Sequence, residues 1–194
     1  MPRPPREAMI DSAVALFRAR GVADTSLRDV VEHSGVSRGS IYHHFPGGKE
    51  ELALAATERG GTFISGLLAR LLDDDADKAI AAFVDYWTSA LTAAGFQDGC
   101  PVAAAALSSD ETASARAAAG VAFTRWEELM AEAIARRGLP ADRAASLSTL
   151  AIAGIEGALL ICRAQGNTEA LARVGAELRR LLGENGGEIV RGSA

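Results

Sequence analysis

A short polar stretch near the amino terminus concentrates side chains that can bind a nucleic acid. The segment "SRGSIYHHF", residues 37–45, holds an arginine, two serines, a tyrosine and two adjacent histidines. The third histidine of the chain, His33, lies shortly before it. Guanidinium, hydroxyl and imidazole groups donate hydrogen bonds to phosphate oxygens and base edges, and Gly39 leaves room for close approach in a groove. These residue types predict a DNA-contacting surface, provided that a narrow element carries them.

Two short helices joined by a tight turn are predicted to carry this stretch. Ser26 begins a capping-box pattern at the start of one helix, and Gly35 can take the left-handed conformation that ends it. Ser37 is expected to cap the next helix, in which Ile41 and Phe45 are spaced i, i+4 and face the core. The polar residues between them are then left on the outer surface. This order of turn glycine, buried residues and exposed donors is typical of a DNA-binding helix-turn-helix.

A metal site is the main alternative use of His43 and His44. Neighbouring residues on a helix point about 100° apart, and no cysteine or further histidine stands at i+4 to complete a site. We therefore expect no metal and no other cofactor. The histidines are predicted to face or flank a DNA backbone instead.

The segment "TSLRDVVEHSGVSRGSIYHHFPGGKEELALAA", residues 25–56, closely resembles the DNA-binding segment of the TetR family of transcriptional regulators. That family typically shows Thr at the start of the second helix, Gly-Val-Ser at the turn and Tyr-x-x-Phe closing the third helix. Val31 and Ser34 depart from the alanines of many members, and the "PGGK" turn is one residue longer than the common form. This turn and "GCPVAAAAL" at residues 99–107 are similar to the LmrA/YxaF-like branch.

The resemblance implies a ligand-responsive repressor that binds a palindromic operator as a homodimer. It places residues at the start of the second helix, and a lysine at the start of the fourth, near the DNA backbone. The polar surface described above supplies the other contacts. The predicted DNA-binding residues are Thr25, Ser26, Arg28, Ser37, Arg38, Gly39, Ser40, Tyr42, His43, His44 and Lys49.

Composition and periodicity predict an all-α fold for the whole chain. Apolar residues make up 48% of the 194 residues and recur at helical spacing, whereas alternating β-branched runs are absent. We predict a helix-turn-helix DNA-binding domain of three helices over residues 1–48, a larger helical ligand-binding and dimerisation domain over 49–183, and a disordered tail over 184–194. Gly60 and Gly61 mark either a flexible point or a close packing contact in the fourth helix.

Charge and cysteine content limit the partners and the compartment. The chain has a net charge of −5, but residues 1–49 hold seven basic and five acidic residues, whereas residues 50–194 are strongly acidic. The two parts are therefore predicted to meet different partners. Cys100 and Cys162 are expected to be buried thiols, and no uncharged apolar run is long enough to span a membrane. We expect a soluble, cytoplasmic protein with no membrane partner.

Aromatic residues on two predicted helices of the second domain can line an apolar pocket for a small-molecule effector. A plain hydrophobic core explains the same residues, and both interpretations stay open. The predicted ligand-binding residues are Phe83, Tyr86, Trp87, Phe123, Trp126 and Met130.

The segment "LSTLAIAGIEGALLICR", residues 147–163, is apolar nearly all round, which is not expected of a helix on the surface of a monomer. With the last helix it predicts a two-fold interface formed by two helices from each subunit. Glu156, inside this apolar segment, either pairs with an arginine or lines the floor of the pocket. The predicted interface residues are Leu150, Gly154, Ala158, Leu171, Val174 and Leu178.

Two other classes of function compete with a transcriptional regulator. A helical enzyme is disfavoured because no histidine lies beyond residue 44 and no zinc, phosphate-loop or nucleophile-elbow motif is present. A helical module that binds proteins through its helix-turn-helix is the other alternative. Salt-dependent binding of duplex DNA separates it from a DNA-binding protein, because phosphate contacts release counterions.

Overall fold

Helices are the regular secondary structure throughout residues 3–72 and 76–189, the part of the chain that the computed structural model describes. No strand occurs there, which confirms the all-α prediction. A 3₁₀ turn at Asp110–Thr112 precedes the seventh helix. The helices are α1 (Pro5–Arg20), α2 (Leu27–Ser34), α3 (Ser40–His44), α4 (Gly48–Leu71), α5 (Ala76–Ala93), α6 (Pro101–Ala106), α7 (Ala113–Ala135), α8 (Ala141–Gln165) and α9 (Glu169–Ile189).

The helices divide into two compact units that do not follow a single cut in the sequence. The first unit contains the residues up to Phe63 together with Gln97–Ala122, and the second contains Ile64–Phe96 together with the residues from Phe123 onward. α4 and α7 therefore contribute residues to both units. The functional boundary between residues 48 and 49 remains a prediction, since packing keeps the beginning of α4 with α1–α3.

In the first unit, α1 supplies the surface on which the helix-turn-helix packs. Its apolar side chains recur at helical spacing, and Met9, Ala13 and Phe17 are buried where α1 meets α2, α3 and α6. Arg59 of α4 pairs with two carboxylates of α1, reaching Asp11 at 2.8 Å and also contacting Glu7. α2 and α3 thus pack on a buried apolar face of α1, which helps to orient these two short helices.

Gly60 and Gly61 are close packing contacts. A Cβ at Gly60 would lie 2.9 Å from Cγ of Pro101 on α6, and a Cβ at Gly61 would lie 2.9 Å from Cβ of Ala122 on α7. Both separations are shorter than a carbon–carbon contact allows. The absent side chains let α6 and α7 approach α4, which decides between the two interpretations left open by the sequence.

The second unit is built largely from α5, α8 and α9. Gly175 on α9 faces Val84 on α5, where an added Cβ would lie 2.7 Å from a valine methyl carbon. Trp87 and Leu171 are fully buried in this unit. Close backbone approach of the three helices brings their apolar faces into a common core.

Three details can be compared with the sequence predictions. Cys100 and Cys162 are both buried and form no disulfide, as predicted. α3 begins at Ser40, whereas the sequence predicted a helix that begins just after Ser37 and is capped by it. This prediction was wrong, for the reason given below. α9 continues to Ile189, beyond the start of the predicted tail at residue 184, and residues 190–194 of that tail lie outside the described residues.

Candidate nucleic-acid interface and ligand cavity

Local hydrogen bonds set the start and the end of α2. The backbone N–H of Ser26 donates to Asp29 Oδ2 at 2.8 Å, and the N–H of Asp29 donates to Ser26 Oγ at 3.2 Å, so the predicted capping box is confirmed. The hydrogen bond from the Ser26 hydroxyl holds the pKa of Asp29 below its ordinary value, and Arg20, 3.0 Å away, acts in the same direction. Gly35 ends α2 with a φ of 69°, the left-handed conformation predicted for it.

The segment after the turn is shorter as a helix than predicted. Ser37 does not cap it, because the chain first forms a turn in which the N–H of Ser40 donates to the carbonyl of Ser37 at 3.0 Å. Only Ser40–His44 is helical. Ile41 and Phe45 are nonetheless buried, which confirms the predicted inner face.

The outer face of this segment is polar and accessible. Tyr42 is 66% exposed and His43 is exposed, whereas His44 is half-buried with its ring in edge-on contact with that of His43 at 5.1 Å. Ser37, Arg38 and Gly39 of the preceding turn are also exposed. We refer to residues 37–44 as the recognition segment.

Two predicted DNA-binding arginines share one carboxylate in the DNA-free protein. Arg28 Nε lies 3.0 Å from Glu32 Oε1, and Arg38 Nη2 lies 3.8 Å from the same oxygen. Both guanidinium groups are highly exposed. The hydrogen bond and the charge of Glu32 raise the pKa of Arg28 above its ordinary value. Sequence analysis missed Glu32, although the i, i+4 spacing to Arg28 signals the pair.

Two predicted DNA-binding residues instead hold the loop between α1 and α2. Thr25 is only 2% exposed and its hydroxyl donates to the carbonyl of Gly21 at 2.7 Å, and the predicted place of Thr25 near the DNA backbone stays a prediction. Lys49 Nζ donates to the carbonyl of Ala23 at 3.0 Å. An ammonium group has three donors, so Lys49 keeps the capacity to bind a phosphate as well.

The second unit contains an apolar cavity of about 210 Å³. Phe83 and Met130, both predicted ligand residues, line it. Arg136 and Arg137 contribute the charged groups, and Arg136 Nη2 donates to the carbonyl of Leu72 at 3.3 Å. The other lining residues are Leu68, Leu71, Leu72, Ala79, Ile80, Ala133, Ile134, Leu147, Ala151, Ile155, Leu178, Leu181 and Leu182.

A smaller cavity of about 20 Å³ adjoins the larger one, and we call it the inner pocket. The two share Leu68, Phe83, Met130, Ala151 and Ile155 among their lining residues.

Both tryptophans of the chain line the inner pocket, together with Glu156. Glu156 thus lies at a pocket, as one of its two alternatives predicted, and the other alternative, a pair with an arginine, stays open. Tyr86 and Phe123 line neither cavity. Tyr86 packs edge-on against Trp87 and Phe123 against Trp126, each at 5.1 Å between ring centroids, and a direct contact of either residue with a ligand stays a prediction.

The predicted dimer residues are mostly used within the chain. Ala158, Leu171 and Leu178 are buried, and Gly154 packs so closely on Val174 that an added Cβ would lie 3.2 Å from a valine methyl carbon. This face of α8 meets α9 of the same chain. The chain itself therefore covers three of the six predicted residues, Ala158, Leu171 and Leu178, whereas Leu150 is exposed and Gly154 and Val174 are half-buried.

A different face of α8 is accessible and apolar. Leu150, Leu160 and Ile161 are 49%, 66% and 46% exposed, and the small residues Ala153 and Ala164 on the same helix are exposed as well. We call these five residues the α8 stripe. Among the described helices, α8 is the one long and apolar enough to cross a membrane by length and composition alone, with a mean hydropathy of 1.8 and 39% of its residues buried in the most apolar window. A helix covered on both faces in a soluble assembly has the same composition.

Two families of known proteins match this chain, one over the helix-turn-helix and one over most of the remaining helices. Residues 9–56 match the family described as "Bacterial regulatory proteins, tetR family", and residues 76–177 match "Transcriptional regulator LmrA/YxaF-like, C-terminal domain". The chain belongs to the TetR family of bacterial transcriptional regulators. It is a DNA-binding regulator and not an enzyme. Within that family, its second half is of the LmrA/YxaF-like kind.

Individual relatives resemble the chain over nearly its whole length. An uncharacterized HTH-type transcriptional regulator of Mycobacterium tuberculosis is 35% identical, over 92% of this chain and 94% of its own. The HTH-type transcriptional regulator LmrA of Bacillus subtilis is 31% identical, over 91% of this chain and 96% of its own. The solved structure of a cysteine mutant of the TetR family regulator CifR, complexed with double-strand operator DNA, superposes with a TM-score of 0.73 at 23% identity, covering 94% of this chain and 97% of that one. This last likeness concerns the fold.

Proposed function

We propose that this chain is a cytoplasmic, homodimeric repressor that releases a palindromic operator when a small apolar or aromatic molecule binds in its second unit. The observation that carries the proposal is the apolar cavity of about 210 Å³. Protein interiors are close-packed, with few voids larger than a water molecule. A unit whose role ended at holding a core together would not leave such a space among leucines and isoleucines. An apolar cavity with a few polar groups at its edge is the usual form of a small-molecule site.

DNA contact is proposed through the recognition segment and the start of α2. Arg38 and Tyr42 are exposed side chains that can donate to phosphates or base edges, above an inner face anchored by Ile41 and Phe45. Arg28 and Ser26 lie near the beginning of α2, where the helix dipole favours a phosphate. The solved complex of the structurally similar CifR with operator DNA supports DNA binding by a protein of this fold.

The α8 stripe is proposed to bind a second copy of the same chain. Leucine and isoleucine side chains along one face of α8 expose apolar surface to water, which is unfavourable. A two-fold interface would bury two such stripes against each other. Dimerisation also supplies a second recognition segment, so that two half-sites are read together. A palindromic operator follows from that symmetry.

Release would occur through a shift between two conformations of the dimer. A ligand changes the population of the DNA-binding conformation only if it binds the two conformations with different affinity. Occupation of the cavity would favour a dimer in which the spacing of the two recognition segments no longer matches successive major grooves. A side chain that fills the cavity would exclude the ligand, so the response to the ligand is expected to be lost.

The test begins with selection of bound fragments from random duplex DNA. Enrichment of a two-fold symmetric sequence, with affinity that falls as salt rises, is expected. Small aromatic compounds that bind the free protein are then added to the protein–DNA complex, and the affinity for DNA should fall.

The matched variant for this test is Ala133→Phe, which places a ring in the cavity. It should no longer bind the compounds, and its affinity for the selected DNA should no longer change when they are added. The ligand-controlled part of the proposal fails if compounds that bind the wild-type protein leave its DNA affinity unchanged.

A further inference from the structure

The indole N–H of Trp87 is buried without a hydrogen-bond acceptor among the described residues. Trp87 is only 2% exposed, and its Nε1 and Ser114 Oγ are the buried side-chain polar atoms without a partner in the described part of the chain. Leaving a buried donor unsatisfied costs roughly 1–3 kcal/mol, and such groups in folded proteins call for an explanation. A function that uses the donor explains why a tryptophan stands at this position.

Trp87 borders the inner pocket, which is about the size of one water molecule. The inner pocket adjoins the larger cavity through the residues that both share, including Phe83 and Met130. In the binding mode proposed below, a molecule in the larger cavity places one small group in the inner pocket, beside the indole.

Trp126 provides an internal comparison in the same pocket. Its indole Nε1 donates to Ser65 Oγ at 3.1 Å, so this donor is satisfied within the protein. Two tryptophans thus line the same small space, and they differ in whether the protein supplies an acceptor for the indole. For Trp87 Nε1, the described residues supply none.

We propose that Trp87 determines ligand specificity by donating its indole N–H to a neutral acceptor oxygen, such as a carbonyl, on an apolar aromatic effector. The inference rests on the proposed ligand-sensing function and names the chemistry of its ligand. A carbonyl oxygen that enters the inner pocket loses its hydrogen bonds to water and accepts one from the indole N–H of Trp87 instead. An apolar isostere leaves the Trp87 donor unsatisfied. A carboxylate is disfavoured there because the lining is almost entirely apolar and taking a charge out of water is costly.

The experiment compares fluorenone with fluorene, two rigid aromatic molecules that differ by a carbonyl in place of a methylene. Affinities are measured by equilibrium dialysis against the DNA-free, full-length protein and its W87F and W126F variants. The wild-type protein should prefer fluorenone by about threefold to tenfold, the value of one net hydrogen bond. W126F should keep that preference, and W87F should lose or reverse it.

A measurement on the wild-type protein guards against a variant that fails to fold. The indole N–H resonances of the two tryptophans are assigned in a ¹⁵N-labelled sample, and each probe is added. Fluorenone should move the Trp87 proton downfield and fluorene should not, with Trp126 as the reference.

Equal affinity for both probes, binding of neither, or a preference for fluorenone that survives in W87F would overturn the inference. The outcome is separable from that of the proposed function, because no DNA is present. If the Trp87-dependent preference is observed but bound fluorenone does not lower DNA affinity, the proposed ligand control fails and this inference stands.

Discussion

Glu32 Oε1 lies 3.0 Å from Arg28 Nε, so that a carboxylate occupies one of the guanidinium groups proposed to bind phosphate. Arg38 lies on the other side of the same carboxylate. In the DNA-free protein this arrangement orders two exposed cations, but a phosphate must compete with Glu32 for both. The negative charge of Glu32 also repels the DNA backbone directly.

Glu32→Gln is therefore expected to tighten DNA binding. Because exposed ion pairs contribute little, the increase in affinity should be no more than a few-fold. Fluorescence anisotropy with the selected operator at a fixed salt concentration measures the affinity of the variant and of the wild-type protein. Glu177→Gln is the control, since Glu177 pairs with Arg180 on α9 in the second unit and should leave the affinity unchanged. Weaker binding by E32Q would show that ordering the arginines matters more than the competing charge.

Arg38→Ala and Tyr42→Phe should weaken operator binding without unfolding the protein. Both side chains are exposed, and neither contributes to the buried face of the recognition segment. A lost arginine contact to DNA costs about 1–3 kcal/mol, so R38A should bind roughly fivefold to a hundredfold more weakly. Arg173→Ala, which removes an equally exposed arginine of α9, should bind normally. Unchanged affinity in R38A and Y42F would mean that another surface contacts the DNA.

Leu160→Glu is expected to dissociate the proposed dimer. Leu160 is 66% exposed in the middle of the α8 stripe, and a carboxylate buried there without a partner would weaken association by at least about tenfold. Sedimentation equilibrium of the variant and the wild-type protein measures the change. Leu107→Glu, at an exposed leucine of the first unit, is the matched control and should remain dimeric. Co-sedimentation of the wild-type protein with lipid vesicles would contradict this use of α8.

Gly61→Ala should destabilise the protein, although alanine favours helices. The new Cβ would lie 2.9 Å from Cβ of Ala122, an atom that no rotamer change can move. Overpacking of this kind costs about 1–3 kcal/mol, against a gain of up to about 1 kcal/mol from helix propensity. The midpoint of thermal unfolding should fall. Gly120→Ala on α7, where an added Cβ meets nothing within 4 Å, should raise it, and a rise in both variants would argue against the close contact.

The capping box predicts a specific dependence of stability on pH. The pKa of Asp29 is lowered in the folded protein, first by the hydrogen bond from Ser26. Its contribution is therefore fully present above the unfolded value, about 3.9, and is lost as pH falls through the lower folded value. The stability difference between the wild-type protein and Asp29→Asn, measured by urea unfolding, should be largest near neutral pH and shrink below about pH 4. A difference that is the same at all pH values would exclude this role of the carboxylate.

Much of the helix-turn-helix was predictable from the sequence, because the residues that define its helix ends and its buried face are close together in the chain. Ser26 caps residues three positions away, Gly35 acts through its own backbone, and Ile41 and Phe45 are one helical turn apart. Neighbours in sequence are sufficient to establish these relationships. The burial of Thr25 was missed because its hydroxyl pairs with Gly21, in a loop whose path depends on packing.

The amino-acid sequence by itself determined the all-α fold, the helix-turn-helix with its inner and outer faces, and the family. Only the tertiary structure decided which side of α8 is covered by α9 and which side carries Leu150 and Leu160 to the surface. It also decided that Trp126 finds an acceptor and that Trp87 does not. The physical reason is that a helix apolar on all sides has no periodic signal to orient it. Which face of α8 is buried then depends on its packing against α9, whose residues are distant in sequence from those of most of α8.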